Sequence, residues 1–205
     1  MKRSLYSILF LFFLCIVNFA QSTPAEIEQE VLKELNNVRA NPQSFIPYLE
    51  EYKKLFKGKN VDLPHVTMLT FEGTAAVDEA IKFLRGASKL EPFSYSNGLS
   101  KAANVQLTDL MENYSLGHIG KDGSNVPKRV ARFGKGGKLA ENIMNMFNNP
   151  RDIVMHWIID DGLKGRGHRK NIFDKSFKQI GLAFGNGQKN DPITVAVFAD
   201  KFTER

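Results

Sequence analysis

Cysteine is almost absent from this chain of 205 residues, and the only one, Cys15, lies in an apolar segment near the N-terminus. The rest of the chain therefore has neither a disulfide nor a thiol nucleophile. A serine hydrolase is also disfavoured, since the sequence contains no Gly-x-Ser-x-Gly motif. No phosphate-binding loop occurs, and the glycine cluster at residues 134–137 lacks the predicted strand and helix that flank a nucleotide site.

Runs of basic residues are missing as well, although the formal net charge of the chain is +6. The lysines and arginines are scattered and are not interleaved with aromatic residues, so the sequence gives no support for nucleic-acid binding. A composition of 42% hydrophobic and 24% charged residues is typical of a globular protein with a packed core. The length fits one domain plus a short additional segment.

That additional segment is predicted to be a secretory signal peptide over residues 1–20. A short basic start precedes an apolar run from Leu5 to Ala20. A membrane anchor is the competing interpretation, but the run is shorter than the roughly 20 apolar residues of a spanning helix, and no basic cluster follows it. We therefore expect cleavage between Ala20 and Ala25, a secreted protein without a transmembrane anchor, and one globular domain over residues 24–202.

Helical periodicity dominates the first half of this domain. It predicts four helices. The first starts near Pro24, and the other three cover Pro42 to Phe56, Thr74 to Gly86 and Leu99 to Met111. Residues 58–71 read as a loop. The later elements are a short basic helix over 127–133, a strand over 139–147, a helix from Pro150, and strands over 180–184 and 193–198. These strands are too few and too close together for a doubly wound parallel sheet, and they predict an α+β fold with a small antiparallel sheet covered by helices.

Four polar residues are the candidates for chemistry: the histidines His118 and His168, in glycine-rich loops, and the acids Glu141 and Asp160, at the edges of predicted elements. Imidazole nitrogens and carboxylate oxygens suit zinc or a similar divalent ion. Without a metal, the carboxylates can stabilise protonated imidazoles. The spacing of the four does not show that they meet. His156 precedes Asp160 by one helical turn and could pair with it, but a structural or surface role is favoured.

Four motifs resemble, in the same order, those of the CAP superfamily, which includes cysteine-rich secretory proteins, venom allergens and pathogenesis-related proteins. Residues 167–172, Gly-His-Arg-Lys-Asn-Ile, resemble its Gly-His-Arg-x-Asn-Ile signature, and residues 140–143 resemble its Glu-Asn-Ile strand. Residues 117–124 resemble the first-histidine loop of its bacterial and protist branch. Residues 157–160 carry a tryptophan and, three residues later, an acid, as the family does.

The resemblance covers roughly residues 27–202 and implies a CAP-type α-β-α sandwich. It also implies that four side chains converge in one cleft, where zinc or another divalent metal could bind: His118, Glu141, Asp160 and His168. The second acid is an aspartate where animal and plant members carry a glutamate, so its reach toward a metal is shorter by one methylene. Arg169 and Asn171 could touch a ligand, but hydrogen bonds that fix the turn around His168 are the favoured interpretation.

Family members are linked to sterol and lipid binding, defence, venom and reproductive signalling, and most have no settled catalytic activity. The resemblance therefore implies a secreted, non-catalytic module that binds a lipid, a sterol or a divalent metal, or an extracellular protein partner. The alternative is an extracellular metal-assisted hydrolase or peptidase. In that case His118 and His168 would hold the metal and Glu141 would act as the general base on a bound water.

Overall fold

The computed structural model of the chain describes residues 22–64, 66–113, 117–187 and 191–205. The predicted signal peptide lies outside these ranges, and its cleavage stays a prediction. In the described ranges, no helix combines the length and the apolar character required to span a bilayer.

The helices are α1 (Pro24–Ala40), a 3₁₀ turn (Pro42–Phe45), α2 (Ile46–Lys53), α3 (Thr74–Gly86), α4 (Asn97–Asn113), α5 (Val126–Val130), α6 (Pro150–Ile159) and α7 (Gly167–Phe173). The strands are β1 (Phe56–Lys57), β2 (Asn60–Leu63), β3 (Val66–Leu69), β4 (Ser94–Tyr95), β5 (Gly134–Gly136), β6 (Leu139–Asn145), β7 (Gln179–Asn186), β8 (Pro192–Ala199) and β9 (Phe202–Glu204).

Helix α1 begins where its capping residues predict. The Thr23 hydroxyl accepts a hydrogen bond from the backbone N–H of Glu26, and the Glu26 carboxylate accepts one from the backbone N–H of Thr23. Pro24 occupies the first helical turn, where its missing N–H has no cost. Four apolar residues on one face of the helix are buried in the core, at the spacing of an amphipathic helix: Ile27, Val31, Leu35 and Val38.

The central sheet has the strand order β4-β7-β8-β6. Strand β8 pairs antiparallel with both β6 and β7, while the two-residue strand β4 pairs parallel with β7. The sheet is therefore mixed at one edge, and β6 forms the other edge. Helices cover both faces: α1, α3, α6 and α7 share a core with one face, and α4 and α5 share a core with the other. This arrangement confirms the predicted α-β-α sandwich.

The close packing of α4 on the sheet depends on Gly181 in β7. A Cβ atom at this position would overlap the backbone of Leu99 and Ser100 in α4. The face of β7 that carries Gly181 is therefore flat enough for α4 to lie directly on it. In the register of the sheet, Gly181 and Glu141 both stand opposite Val197, so all three residues belong to the face covered by α4 and α5.

The segment 58–71, expected to be a loop, forms most of a three-stranded antiparallel sheet. Gly58 adopts φ +67° and makes the turn between β1 and β2. This turn draws Phe56 into a strand opposite Val61, so α2 ends at Lys53 and not near Phe56 as predicted. The strands are two to four residues long and only Val61 is buried, which explains why the sequence shows no clear alternation.

Two further elements differ from the sequence-based prediction. The glycine cluster contains strand β5, which pairs with β9 next to the C-terminus, because Gly134 has no Cβ that would collide with the backbone oxygen of Thr203. The glycine-rich stretch around His168 was expected to be a turn, but its second half is helix α7, which starts at Gly167. His168 is therefore fixed in the first turn of a helix.

Candidate functional site

Glu141 is the buried acid of the first of two histidine–acid pairs. Its side chain leaves β6 on the face covered by α4 and α5 and is only 1% exposed. The carboxylate Oε1 lies 3.0 Å from His118 Nδ1, and Arg129 Nη2 donates a hydrogen bond of 2.7 Å to Oε2. Both oxygens of Glu141 are therefore engaged, one by a half-exposed histidine and the other by a buried guanidinium group.

Arg129 was not among the residues that the sequence analysis selected. Its side chain is 1% exposed, and Nη1 donates hydrogen bonds to the backbone oxygens of Ser124 (2.8 Å) and His118 (3.2 Å). Arg129 thus ties the glycine-rich loop to the sheet and fixes both members of the first pair. Nothing in the sequence distinguishes it from Arg132, which lies on the same short basic segment and is exposed beside Asp122.

The second pair joins Asp160 at the end of α6 to His168 in α7. Asp160 adopts the left-handed conformation (φ 56°), which aspartate tolerates better than most residues. Its Oδ2 accepts hydrogen bonds from the backbone N–H groups of His168 (2.8 Å) and Arg169 (3.4 Å). These N–H groups belong to the first turn of α7, and Arg166, the residue before the helix, provides no side-chain cap. Asp160 therefore caps α7 from a distance in sequence.

The other carboxylate oxygen of Asp160 faces the His168 ring. His168 Nδ1 lies 2.8 Å from Oδ1, but the ring N–H is not aligned for a hydrogen bond, and Oδ1 has no hydrogen-bond partner within the described residues. The Asp160 side chain is 0% exposed, whereas that of His168 is 17% exposed. A buried carboxylate thus lies beside a histidine that still reaches solvent.

Arg169 and Asn171 attach α7 to its surroundings. Arg169 donates hydrogen bonds to the backbone oxygens of Ile158 (2.5 Å) and Ile159 (3.1 Å), the last two residues of α6. Asn171 Nδ2 donates to Asn142 Oδ1 (2.8 Å), and Asn142 Nδ2 donates to the backbone oxygen of His168 (3.2 Å). Through Asn142, the helix that carries His168 is connected to β6 at the residue next to Glu141.

The structure brings the four predicted site residues together as two pairs. Glu141 and Asn142 are consecutive in β6, so their side chains point to opposite faces of the sheet. Glu141 therefore points to the α4 and α5 side, and Asn142, which donates a hydrogen bond to the backbone oxygen of His168, points to the other side. Within the ranges that the structure describes, no three His, Cys, Asp or Glu side chains are grouped so that they could hold a metal ion. In this structure the four residues form two histidine–acid pairs.

An apolar groove of about 500 Å³ opens beside the Asp160–His168 pair. Strand β3, the end of β6 and helix α6 form its walls, and most of its lining side chains are apolar, among them Val77, Met144 and Ile159. Asp160 and His168 stand at its wall as polar groups. Mostly apolar clefts of this size, with a few placed polar groups, are typical small-molecule sites.

His156 also lines the groove and does not pair with the Asp160 carboxylate. Its ring stacks on Phe147, with 4.0 Å between ring centroids, and meets the Tyr52 ring edge-on at 5.1 Å. Burial lowers the pKa of His156 to about 4. The imidazole is therefore neutral at physiological pH and acts as part of the aromatic wall.

The pKa of His156 predicts a pH dependence of stability. The folded protein keeps this ring neutral, whereas the unfolded chain binds a proton below pH 6.5, so stability falls as the pH drops from about 6.5 to about 4. We expect His156→Phe to reduce this fall by up to about 1.4 kcal/mol per pH unit. Urea unfolding at pH 7 and pH 5 measures the difference. Met155→Leu on the same helix should keep the wild-type dependence, and a His156→Phe variant that also keeps it would refute the assignment.

The family model described as the cysteine-rich secretory protein family, CAP, matches residues 78–198. This range includes both histidine–acid pairs, Arg129 and helices α4 to α7. Among curated proteins, none matches the chain.

Solved structures resemble the chain at low sequence identity. An extracellular protein containing an SCP domain from Bacillus anthracis is 17% identical, with a TM-score of 0.43, over 60% of this chain and 37% of that one. Venom allergen-like protein 4 of Schistosoma mansoni is 11% identical, with a TM-score of 0.47, over 87% of this chain and 90% of that one. NaASP2, in a structure with Zn²⁺, is 14% identical, with a TM-score of 0.43, over 86% of this chain and 84% of that one.

The chain thus spans little more than a third of the Bacillus protein. At these identities and TM-scores, the structural resemblances say nothing about ligand or activity. The family assignment depends on the match over residues 78–198, which is more than half of the chain.

Proposed function

The chain belongs to the CAP family, the cysteine-rich secretory protein family, and on that premise we propose that it is a secreted, non-catalytic domain that binds a lipid or a sterol. The groove beside His168 is the proposed binding site. The observation that carries the proposal is the combination of a mostly apolar lining with one oriented polar pair at the wall. An amphipathic ligand would bury its apolar body along Met144 and Ile159 and place its polar end near His168.

The state of Glu141 favours binding over hydrolysis. In the alternative hypothesis, Glu141 is the general base that activates a metal-bound water. Its two oxygens are held by His118 and by the buried Arg129 guanidinium. A general base must lie within hydrogen-bond reach of the proton that it removes, and Glu141 would first have to give up one of these partners. The Asp160 carboxylate is likewise committed to the first turn of α7.

A divalent metal is the other ligand that we expected from the sequence. In each pair a carboxylate lies beside the Nδ1 atom of the histidine, as carboxylates do when they orient metal-binding imidazoles. The four residues nevertheless form no group of three or more metal-binding side chains within the described ranges, and the carboxylates are used elsewhere. We therefore expect metal analysis to find no more zinc in the purified protein than in a His118→Ala/His168→Ala variant. Stoichiometric zinc in the wild-type protein alone would favour the metal hypothesis.

Ligand titration tests the groove. We expect a fluorescent fatty acid or sterol to bind the purified protein with one-to-one stoichiometry. Met144→Lys places a charge among the apolar lining residues, and we expect it to weaken binding about tenfold or more, which corresponds to about 1.4 kcal/mol. Tyr95→Lys is the matched control, since Tyr95 is exposed on β4 at the opposite edge of the sheet from β6 and does not line the groove.

The possible results distinguish the location of the binding site from the ability of the protein to bind fatty acids and sterols. Equal binding by Met144→Lys and the wild-type protein would show that the ligand lies elsewhere. Failure of every fatty acid and sterol tested would contradict the proposed function. Loss of binding in Tyr95→Lys as well would indicate a general effect of added charge and would count against the groove.

A further inference from the structure

The mouth of the groove is surrounded by exposed apolar side chains. Of the ten large hydrophobic residues that are exposed in the described parts of the chain, five line this groove: Val66, Leu69, Phe71, Met146 and Leu163. Leu69 and Phe71 are the most exposed, at 74% and 76%. These five residues, here called the apolar rim, come from three segments of the chain. Exposed apolar side chains gathered around one opening are a candidate interaction site.

The backbone holds the apolar rim in place. The N–H groups of Phe71 and Glu72 donate hydrogen bonds of 2.7 and 2.9 Å to the Asp161 carboxylate. The Phe71 ring lies directly over Gly162, where a Cβ atom would come within 2.6 Å of it. Met146 adopts φ 75°, which is unfavourable for a long side chain, and its N–H donates to the Pro192 oxygen. Such strained positions cluster at functional sites.

The apolar rim is flanked by two lysines that are unpaired among the described residues. Lys59 and Lys164 are exposed, and neither forms an ion pair with any described residue. Lys59 lies next to Gly73, and its backbone oxygen binds Thr70, so it stands beside Phe71. Of the nearby acids, Glu72 is paired with Arg166, and the Asp161 carboxylate keeps its charge but is held by the backbone N–H groups of Phe71 and Glu72.

We propose that the apolar rim docks on the surface of an anionic lipid bilayer. This inference depends on the proposed function, because it supplies the route by which a lipid enters the groove without crossing water. Exposed Leu, Phe and Met side chains flanked by lysines are suited to the boundary between headgroups and acyl chains. The two lysines match the negative surface potential of anionic lipids. The position of the rim favours a lipid surface over a protein partner. A protein partner needs an apolar surface, but it does not need that surface to surround the opening of an apolar groove.

Vesicle sedimentation tests the docking surface. The full chain is expressed in a secreting host and purified from the medium, and N-terminal sequencing establishes that the apolar segment at residues 5–20 has been removed. We expect the protein to bind phosphatidylcholine vesicles with 30% phosphatidylserine about fivefold better than vesicles of phosphatidylcholine alone. Phe71→Ser should weaken binding to the anionic vesicles about fivefold or more, and Tyr95→Ser, an exposed change outside the rim, should leave it unchanged.

Two further variants sharpen the test. Lys59→Glu/Lys164→Glu should weaken binding to the anionic vesicles only. Phe71→Trp places an indole in the apolar rim, while the single native tryptophan, Trp157, is fully buried in the core. Brominated lipids should therefore quench the fluorescence of Phe71→Trp, and they should leave a Tyr95→Trp variant unquenched.

Equal binding of Phe71→Ser and the wild-type protein, or no binding to either vesicle, would overturn the proposal. A dimer that forms in sedimentation velocity experiments and is lost in Phe71→Ser would assign the rim to a second copy of the chain. If the protein binds a soluble fatty acid but no vesicles, the membrane-docking proposal is wrong and the proposed lipid-binding function stands. Vesicle binding without any binding of soluble ligand would reject the groove as a lipid site and keep the docking surface.

Discussion

Replacing Arg129 by methionine is expected to lower the free energy of unfolding by about 3–5 kcal/mol, because the change leaves the buried Glu141 carboxylate without its cation. Arg129 and Glu141 are each 1% exposed, so water cannot take the place of the lost partner. The same substitution removes two hydrogen bonds to the backbone oxygens of Ser124 and His118. We also expect the glycine-rich loop to become more susceptible to proteolysis. Chemical unfolding monitored by circular dichroism measures the stability change.

Arg132→Met is the matched control. Arg132 lies three residues further along the chain and pairs with Asp122, but both side chains are about half exposed. We expect this variant to lose less than about 1 kcal/mol. In Arg129→Met/Glu141→Leu both charges are removed, and its loss should be smaller than that of Arg129→Met alone. Equal effects of Arg129→Met and Arg132→Met would refute the buried pair.

Replacing Asp160 by alanine is expected to lower the free energy of unfolding by about 2–3 kcal/mol, since one partly buried and one buried N–H group at the start of α7 lose their acceptor. Asp160→Asn keeps an acceptor oxygen and should lose less. Both changes should weaken ligand binding, because Asp160 holds the first turn of α7, and with it His168, at the groove wall. Denaturant unfolding and the ligand titration measure the two effects.

Asp78→Ala is the control for Asp160→Ala. Asp78 is an exposed aspartate paired with Lys53 on the surface, and we expect its loss to cost less than about 1 kcal/mol. If Asp160→Ala is no more destabilising than Asp78→Ala, Asp160 does not cap α7. From a left-handed residue at the end of α6, the short Asp160 side chain reaches the first turn of α7.

The parts of the fold that were predicted correctly from the sequence are those specified by local signals. The Thr23–Glu26 capping box determines where α1 begins, and the alternation of large and small residues around Gly181 indicates a strand with one flat face. The segment 58–71, which forms most of the three-stranded sheet, contains no comparable local signal in its sequence. Its strands are short and bury a single residue, so their pairing depends on the Gly58 turn and on contacts with distant segments.

The site was predictable only in part, for the same reason. Motif order identified the four residues His118, Glu141, Asp160 and His168, but it could not show that they form two pairs. The pairing of Glu141 with His118 and Arg129 follows from the direction of the Glu141 side chain, which depends on the register of β6 in the sheet. Arg129 could not be distinguished from Arg132, because burial of one and exposure of the other is decided by tertiary packing. The groove is built from segments far apart in sequence.

The most direct measurement is a crystal structure of the protein grown with a fatty acid or a sterol. The account predicts electron density for an apolar body beside Met144 and Ile159, with the polar end of the ligand within hydrogen-bond distance of His168. An empty groove with the ligand on the His118–Glu141 side of β6 would contradict it. A metal ion coordinated by both His118 and His168 would contradict it as well, since the two pairs would then form one site.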